Sequence, residues 1–88
     1  MFEWDEDKRL KNLAKHKLDF VAAGRLYDGR ATITTVSAYA FEPRYLTTAQ
    51  IEGKFYSLVW TGRDGRRRFI SFRRARDEET RAYRQIYG

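Results

Sequence analysis

Residues 54–74 read KFYSLVWTGRDGRRRFISFRR, two runs rich in aromatic and β-branched residues around Asp64-Gly65. A connection as short as GRDGR allows only an antiparallel hairpin between them. The second run, residues 66–74, holds an apolar island, Phe69 to Phe72, between arginines. Period-two alternation puts Phe69, Ser71 and Arg73 on one face and Arg68, Ile70, Phe72 and Arg74 on the other. Ile70 and Phe72 are the expected core pair. Arg73 would then project from mid-sheet beside Ser71, where a charge needs solvent in a concavity or a counter-charge, and a bound phosphate would serve. Arg68 and Arg74 emerge at the strand ends, and Arg63 closes the preceding strand nearby. Arg66, Arg67 and Arg76 are expected to be solvated, as turn and terminal arginines usually are.

Upstream, RYLTTAQI (residues 44–51) reads as a strand joined to Lys54 by the turn IEGK, and RATITTVSAY (residues 30–39) reads as another. Glu42-Pro43 interrupts pairing between these two, so Ala38 to Pro43 is expected to be a loop of the kind that carries function. Before the strands, Asp5 is placed to cap a helix over Glu6–His16 whose core side carries Leu10, Leu13 and the stem of Lys17. Asp19 would cap a second helix, Phe20 to Tyr27, burying Phe20, Ala23 and Leu26 and ending before Gly29. After the strands, DEETRAYRQIY reads as a helix capped by Asp77 with Tyr83, Ile86 and Tyr87 on one stripe. The expected fold is α+β: two N-terminal helices, a four-stranded antiparallel sheet in meander order and a C-terminal helix.

The 88 residues suit one domain, 1–88, with a modest core. With no cysteine, disulfides and thiolate metal sites are excluded. One histidine and no tight carboxylate spacing argue against a dedicated metal site, and nothing points to a cofactor. No apolar run reaches the roughly 18 residues of a membrane span, and the N-terminus is acidic and aromatic, unlike a secretory leader. The expected compartment is the cytoplasm. Lys plus Arg outnumber Asp plus Glu by 18 to 12, and arginines dominate the cations. Arginine grips phosphate bidentately and stacks on bases, so the balance favours a polyanionic partner.

No glycine-rich phosphate loop, nucleophile elbow or Cys/His catalytic pattern is present. Cleavage of RNA remains open, because the 2′-hydroxyl is itself the nucleophile; the protein need only position the phosphate, neutralise the transition state and move protons. The only histidine, His16, lies four residues from Asn12 on one helix face, with Lys15 beside it. An isolated histidine is more often structural than catalytic. Glu79 and Tyr83 are likewise four apart, and each also has a plain structural reading, as a first-turn carboxylate and a packed ring. Glu42 and Arg44 flank Pro43 and can pair with each other or with a ligand. Tyr39, Tyr45 and Trp60 are aromatics that could stack bases, although core packing suits Trp60 better.

The order FEWDEDK, N..KH, F..A...YD, E.R, T.R and R.ISFRRA....E...Y resembles the BrnT family of ribonuclease toxins from bacterial type II toxin–antitoxin systems, similar in fold to RelE-like ribonucleases. The likeness runs from Phe2 to Tyr83. Lys17 stands where a glycine usually follows the histidine, and Ala49 where a glycine commonly closes the second strand. The resemblance implies a metal-independent endoribonuclease that inhibits translation and is neutralised by a BrnA-type antitoxin, through which alone the pair would reach operator DNA. It carries Lys15, His16, Glu42, Arg44, Arg63, Arg73, Glu79 and Tyr83 over as site candidates. Arg44, Arg63, Arg68, Arg73 and Arg74 would bind RNA; His16 or Glu42 would accept the 2′-hydroxyl proton, and Lys15 or Tyr83 would assist the leaving oxygen. Two alternatives stay open: a non-catalytic nucleic-acid-binding module, and a basic domain that docks an acidic protein.

Overall fold

The structure, a computed structural model, describes residues 1–37 and 42–88. Tyr39 and most of the Ala38–Pro43 loop lie outside the described residues.

Strands β1 (Phe2–Trp4), β2 (Thr32–Ser37), β3 (Arg44–Ile51), β4 (Lys54–Arg63) and β5 (Arg66–Arg74) form one sheet in the order β1-β5-β4-β3-β2. The meander from β2 to β5 is antiparallel, as expected. The expectation of four antiparallel strands is corrected by β1, which pairs parallel to β5 with Trp4 opposite Phe69 and makes the sheet five-stranded and mixed. Both tight hairpin turns have the type I′ signature of two successive positive φ angles, 51° and 81° at Glu52-Gly53 and 53° and 76° at Asp64-Gly65.

Three helices accompany the sheet: α1 (Glu6–His16), α2 (Phe20–Ala23) and α3 (Asp77–Tyr87). Asp5 caps α1 by accepting from the Asp7 and Lys8 amides, and Asp19 caps α2 by accepting from Val21. The expected single helix over Phe20–Tyr27 is instead one α turn followed by a 3-10 turn, Gly24–Tyr27. There a Cβ on Gly24 would stand 3.0 Å from the Phe2 ring, so the chain passes too close for a side chain. At the other end of the molecule, the cap of α3 is Arg76, one residue before the expected Asp77; its amide donates to the Glu79 carboxylate at 2.9 Å.

A β-bulge decides what each face of β5 carries. Val59 pairs with Ser71 but Trp60 pairs with Phe69, leaving Ile70 without a counterpart. Strict alternation therefore fails: Phe69 and Phe72, three apart, are both buried, and the expected core pair of Ile70 and Phe72 is replaced by Phe69 and Phe72. They pack with Leu58 and Ala49 against Phe20, Ala23 and Leu26. The registers also give the opposite face: Arg44, Leu46 and Thr48 of β3, Ser57, Val59, Thr61 and Arg63 of β4, and Arg68, Ser71 and Arg73 of β5.

The expected apolar faces of two helices are also corrected. Leu10 and Leu13 are 51% and 37% exposed, and the buried residue of α1 is Asn12. Its side chain accepts from the Phe72 amide at 3.0 Å and donates to the Phe72 carbonyl at 2.8 Å, replacing a neighbouring strand where β1 has ended. A helix docked edge-on to a strand is thus fixed by paired hydrogen bonds rather than an apolar stripe. On α3, Tyr83 is buried but Ile86 is 67% exposed and Tyr87 half exposed, because the helix meets the sheet mainly through Glu79 and Tyr83.

Candidate active site

The open face of the sheet is where the sequence-derived arginines gather. Tyr45 pairs with Trp60, which brings Arg44 level with Thr61, whose other neighbour is Arg68. At roughly 4.8 Å per strand, Arg44 and Arg68 rise from backbones about 10 Å apart across the sheet. Arg63 stands at the far end of β4, and Arg73 near the end of β5 that α3 covers. A hollow of about 330 Å³ lies between, lined by Arg44, Tyr45, Leu46, Val59, Arg73, Arg76 and Glu79.

Arg73 is well enclosed, its side chain 14% exposed. Its Nη1 and Nη2 donate to the two Glu79 carboxylate oxygens at 2.8 and 2.9 Å, and Nη1 also donates to the Arg74 carbonyl at 3.2 Å. A guanidinium has five N–H hydrogens, so these three bonds leave one on Nη2 and the one on Nε, which together form a side-on fork suited to two phosphate oxygens. Glu79 is fixed in turn. Its Oε1 accepts from the Ser57 hydroxyl at 2.8 Å, and Ser57 Oγ lies 2.9 Å from Thr48 Oγ1. Burial alone would raise the Glu79 carboxyl, but Arg73, the Arg76 amide and Ser57 outweigh it and hold it down at about 2. Glu79 is the counter-charge that a mid-sheet Arg73 required.

Three further arginines of this face have carboxylates beside them. Arg68 donates to Glu3 at 2.9 Å, Arg66 approaches the same carboxylate at 3.6 Å, and Arg63 lies 4.0 Å from Glu42. Glu42 is therefore at the rim, beside Arg63.

A second hollow, of about 200 Å³, opens beside β5 where α1 crosses its edge; it is lined by Lys8, Lys11, Asn12, Lys15, His16, Ile70 and Ser71. Ser71 and Arg73 lie successively along the open side of β5, so both hollows border that strand. Burial, then the charges of Lys15 and Arg73, depress the pKa of His16, which favours the neutral imidazole needed in a proton acceptor. The helix stops just beyond it because Lys17 takes the left-handed conformation, φ 60°, and its amide closes back on Leu13. An L side chain is strained in this conformation, whereas glycine would adopt it freely.

Five candidates line neither hollow: Glu42, Arg63, Arg68, Arg74 and Tyr83. The Tyr83 hydroxyl reaches the Ala31 carbonyl at 3.4 Å, with its ring edge-on to Phe55, and lines neither hollow. Arg74 lies on the helix-covered face, over the Tyr56 ring at 5.4 Å. Arg67, expected to be solvated, is on that face too, 4.0 Å from the Tyr27 ring centroid and 5.1 Å from that of Trp60. Trp60 donates to Thr47 at 2.9 Å and stacks on Tyr45 at 4.5 Å, so both rings belong to the packed side.

Sequence reading missed Ser57 and Thr48, which support the Glu79 carboxylate, and Glu3, which pairs with Arg68 and Arg66. Their only signal was a position on the same alternation face as Arg63 and Arg73, or, for Glu3, between the two aromatics of an unrecognised strand. Among the described residues, no group of three or more His, Cys, Asp or Glu is placed to hold a metal ion. Nor, among the described residues, is any helix long and apolar enough to cross a membrane.

No curated protein matches the chain significantly. Residues 4–79 match the family model described as "Ribonuclease toxin, BrnT, of type II toxin-antitoxin system". That span covers the arginine-lined face, His16 and the Glu79 anchor, and the chain belongs to the BrnT family of ribonuclease toxins.

Proposed function

We propose that the chain is a metal-independent endoribonuclease that cleaves RNA by intramolecular transesterification on the open face of its sheet. The observation that carries this is the Arg73 fork, held by Glu79 on the strand that borders two cationic hollows, one of them lined by a histidine biased toward its neutral form. Arg73 and Arg44 hold the scissile phosphate, with Arg68 and Arg63 along the same face. Neutral His16 takes the proton from the 2′-hydroxyl as its oxygen attacks phosphorus. The bond from phosphorus to the 5′-oxygen breaks, the leaving oxygen is protonated with help from Lys15, and the products are a 2′,3′-cyclic phosphate and a 5′-hydroxyl. The arginines act chiefly by stabilising charge that grows in the pentacovalent transition state. In this reading Glu42 orients Arg63 and Tyr83 holds α3 to the sheet, neither transferring a proton.

Inhibition of translation in the cytoplasm follows from cutting messenger RNA. An antitoxin of the BrnA type would silence the toxin by covering this face, with operator DNA reached only through that partner. A protein antitoxin and an RNA target are both in keeping with the family.

The bidentate Glu79 partner favours a second reading, in which Arg73 is a structural tie and the face only binds nucleic acid. Incubating purified chain with RNA in the presence of a chelator separates the two. Cleavage leaving 2′,3′-cyclic ends, and its loss in Arg73→Ala with RNA binding retained, is the expected result. Intact RNA with wild-type binding would establish the second reading. The rate should also fall on acidification with an apparent pKa below the ordinary imidazole value of 6.5, and that limb should vanish in His16→Ala.

A further inference from the structure

We propose that the groove between α1 and the edge of β5 is a track for the RNA backbone, in which Lys8 and Lys11 bind phosphates flanking the one held at Arg73. The inference rests on the ribonuclease reading and adds to it a second contact zone.

Three observations support it. First, the orientation of α1 is fixed by Asn12, whose amide group is bonded to Phe72 and to the Leu18 carbonyl at 2.9 Å, so the lysines on the same half of the helix are held over the groove. Second, the cations of α1 are sorted. Arg9, on another side, is tied to Glu6 and Asp19 at 2.7 and 2.8 Å. Lys8, Lys11 and Lys15 line the groove, are exposed, and have no carboxylate within ion-pair distance among the described residues. Third, the groove and the candidate active site border the same strand, the first at Ser71 and the second at Arg73, which follow one another along its open side.

The dimensions suit a single strand. Lys8 to Lys15 rises about 10 Å along the helix axis at ~1.5 Å per residue. That is the reach of about three stacked nucleotides at ~3.4 Å each. An acidic protein is the competing occupant of a lysine row. Among the described residues, Ile70 is the only large apolar side chain lining this groove, whereas the centre of a protein interface is apolar and depleted in charge, so nucleic acid is favoured.

The test is the salt dependence of binding. The probe is a short single-stranded RNA carrying 2′-O-methyl groups, which cannot be cut by transesterification, and binding is read by fluorescence anisotropy over a series of potassium chloride concentrations. For the double variant Lys8→Ala/Lys11→Ala, the slope of log K against log salt should fall in magnitude by about 1.4, two phosphates at ~0.7 each. Lys8→Arg/Lys11→Arg should restore it. Both lysines are exposed, so an unchanged melting temperature checks the fold. An unchanged slope, while wild type binds and cleaves RNA, overturns the track and leaves the ribonuclease reading standing. If wild type neither binds nor cleaves RNA, both fall. A loss confined to affinity for an acidic protein partner, with the RNA slope intact, also overturns the track and makes this a docking face.

Discussion

On the helix-covered side of the sheet, Phe69, Phe72, Leu58 and Ala49 meet Phe20, Ala23 and Leu26 with no ionised group among them. On the open side, Arg44, Arg68 and Arg73 stand on the same strands, tethered where they are buried by Glu3 and Glu79. The difference lies in what each side tolerates. Apolar contacts are non-directional, so volume matters more than identity. A guanidinium held by a carboxylate fork depends on geometry, and removing one partner strands the other's charge. The packed side should therefore answer for stability and the open side for activity.

The largest effect expected is on the packed side. Phe72→Ala should cost about 3–5 kcal/mol, read from the urea midpoint, because the ring is buried against Tyr56 and Leu58. A small loss there, or a comparable one from Arg44→Ala, would break the comparison.

Arg73→Lys comes next and should separate the two properties. It keeps the charge but loses both forks, so cleavage should fall on the order of a hundredfold while the melting temperature changes little. Equal loss of both would make Arg73 a structural residue.

Asn12→Ala sharpens the comparison, since this polar group serves the packed side. It leaves the Phe72 amide and carbonyl unpaired at a covered edge, which should cost about 1–3 kcal/mol. Hydrogen exchange of the Phe72 amide should accelerate.

Acid should act through the open side. The Glu79 carboxyl is held at about 2, below its ordinary 4.5. Its contribution is thus fully present above pH 4.5 and lost as the pH falls toward about 2. Between those values the urea midpoint of wild type should fall more steeply than that of Glu79→Gln. Smallest of all, Lys17→Gly should raise stability by about 1 kcal/mol by relieving a left-handed L residue.

Much of this was legible in the sequence. The bounds of β3, β4 and β5, the caps Asp5 and Asp19 and the two glycine turns follow from local chemistry, which the neighbouring residues carry in full. What was not legible depends on distant partners. Three residues, Phe2–Trp4, are too few to announce a strand, and their hydrogen bonds go to β5, more than sixty positions away. Asn12 looked like one polar residue among lysines because its partner, Phe72, is known only once the helix is docked. The arginine face was half legible. Arg73 was placed on the open side correctly, yet Arg68 changed sides and Arg67 joined Tyr27 and Trp60, since alternation gives no warning of an unpaired Ile70.

That unpaired residue makes the length of β5 a chemical variable. Deleting Ile70 would restore regular alternation and leave every other side chain of the strand on its present face, because Phe69 and Ser71 already oppose the consecutive residues Trp60 and Val59. Adding one residue elsewhere in the strand, with Ile70 kept, would instead turn one end of it inside out. A library of single-codon deletions across residues 66–74 should therefore find its best-tolerated position at Ile70, where substitutions are broadly accepted as well.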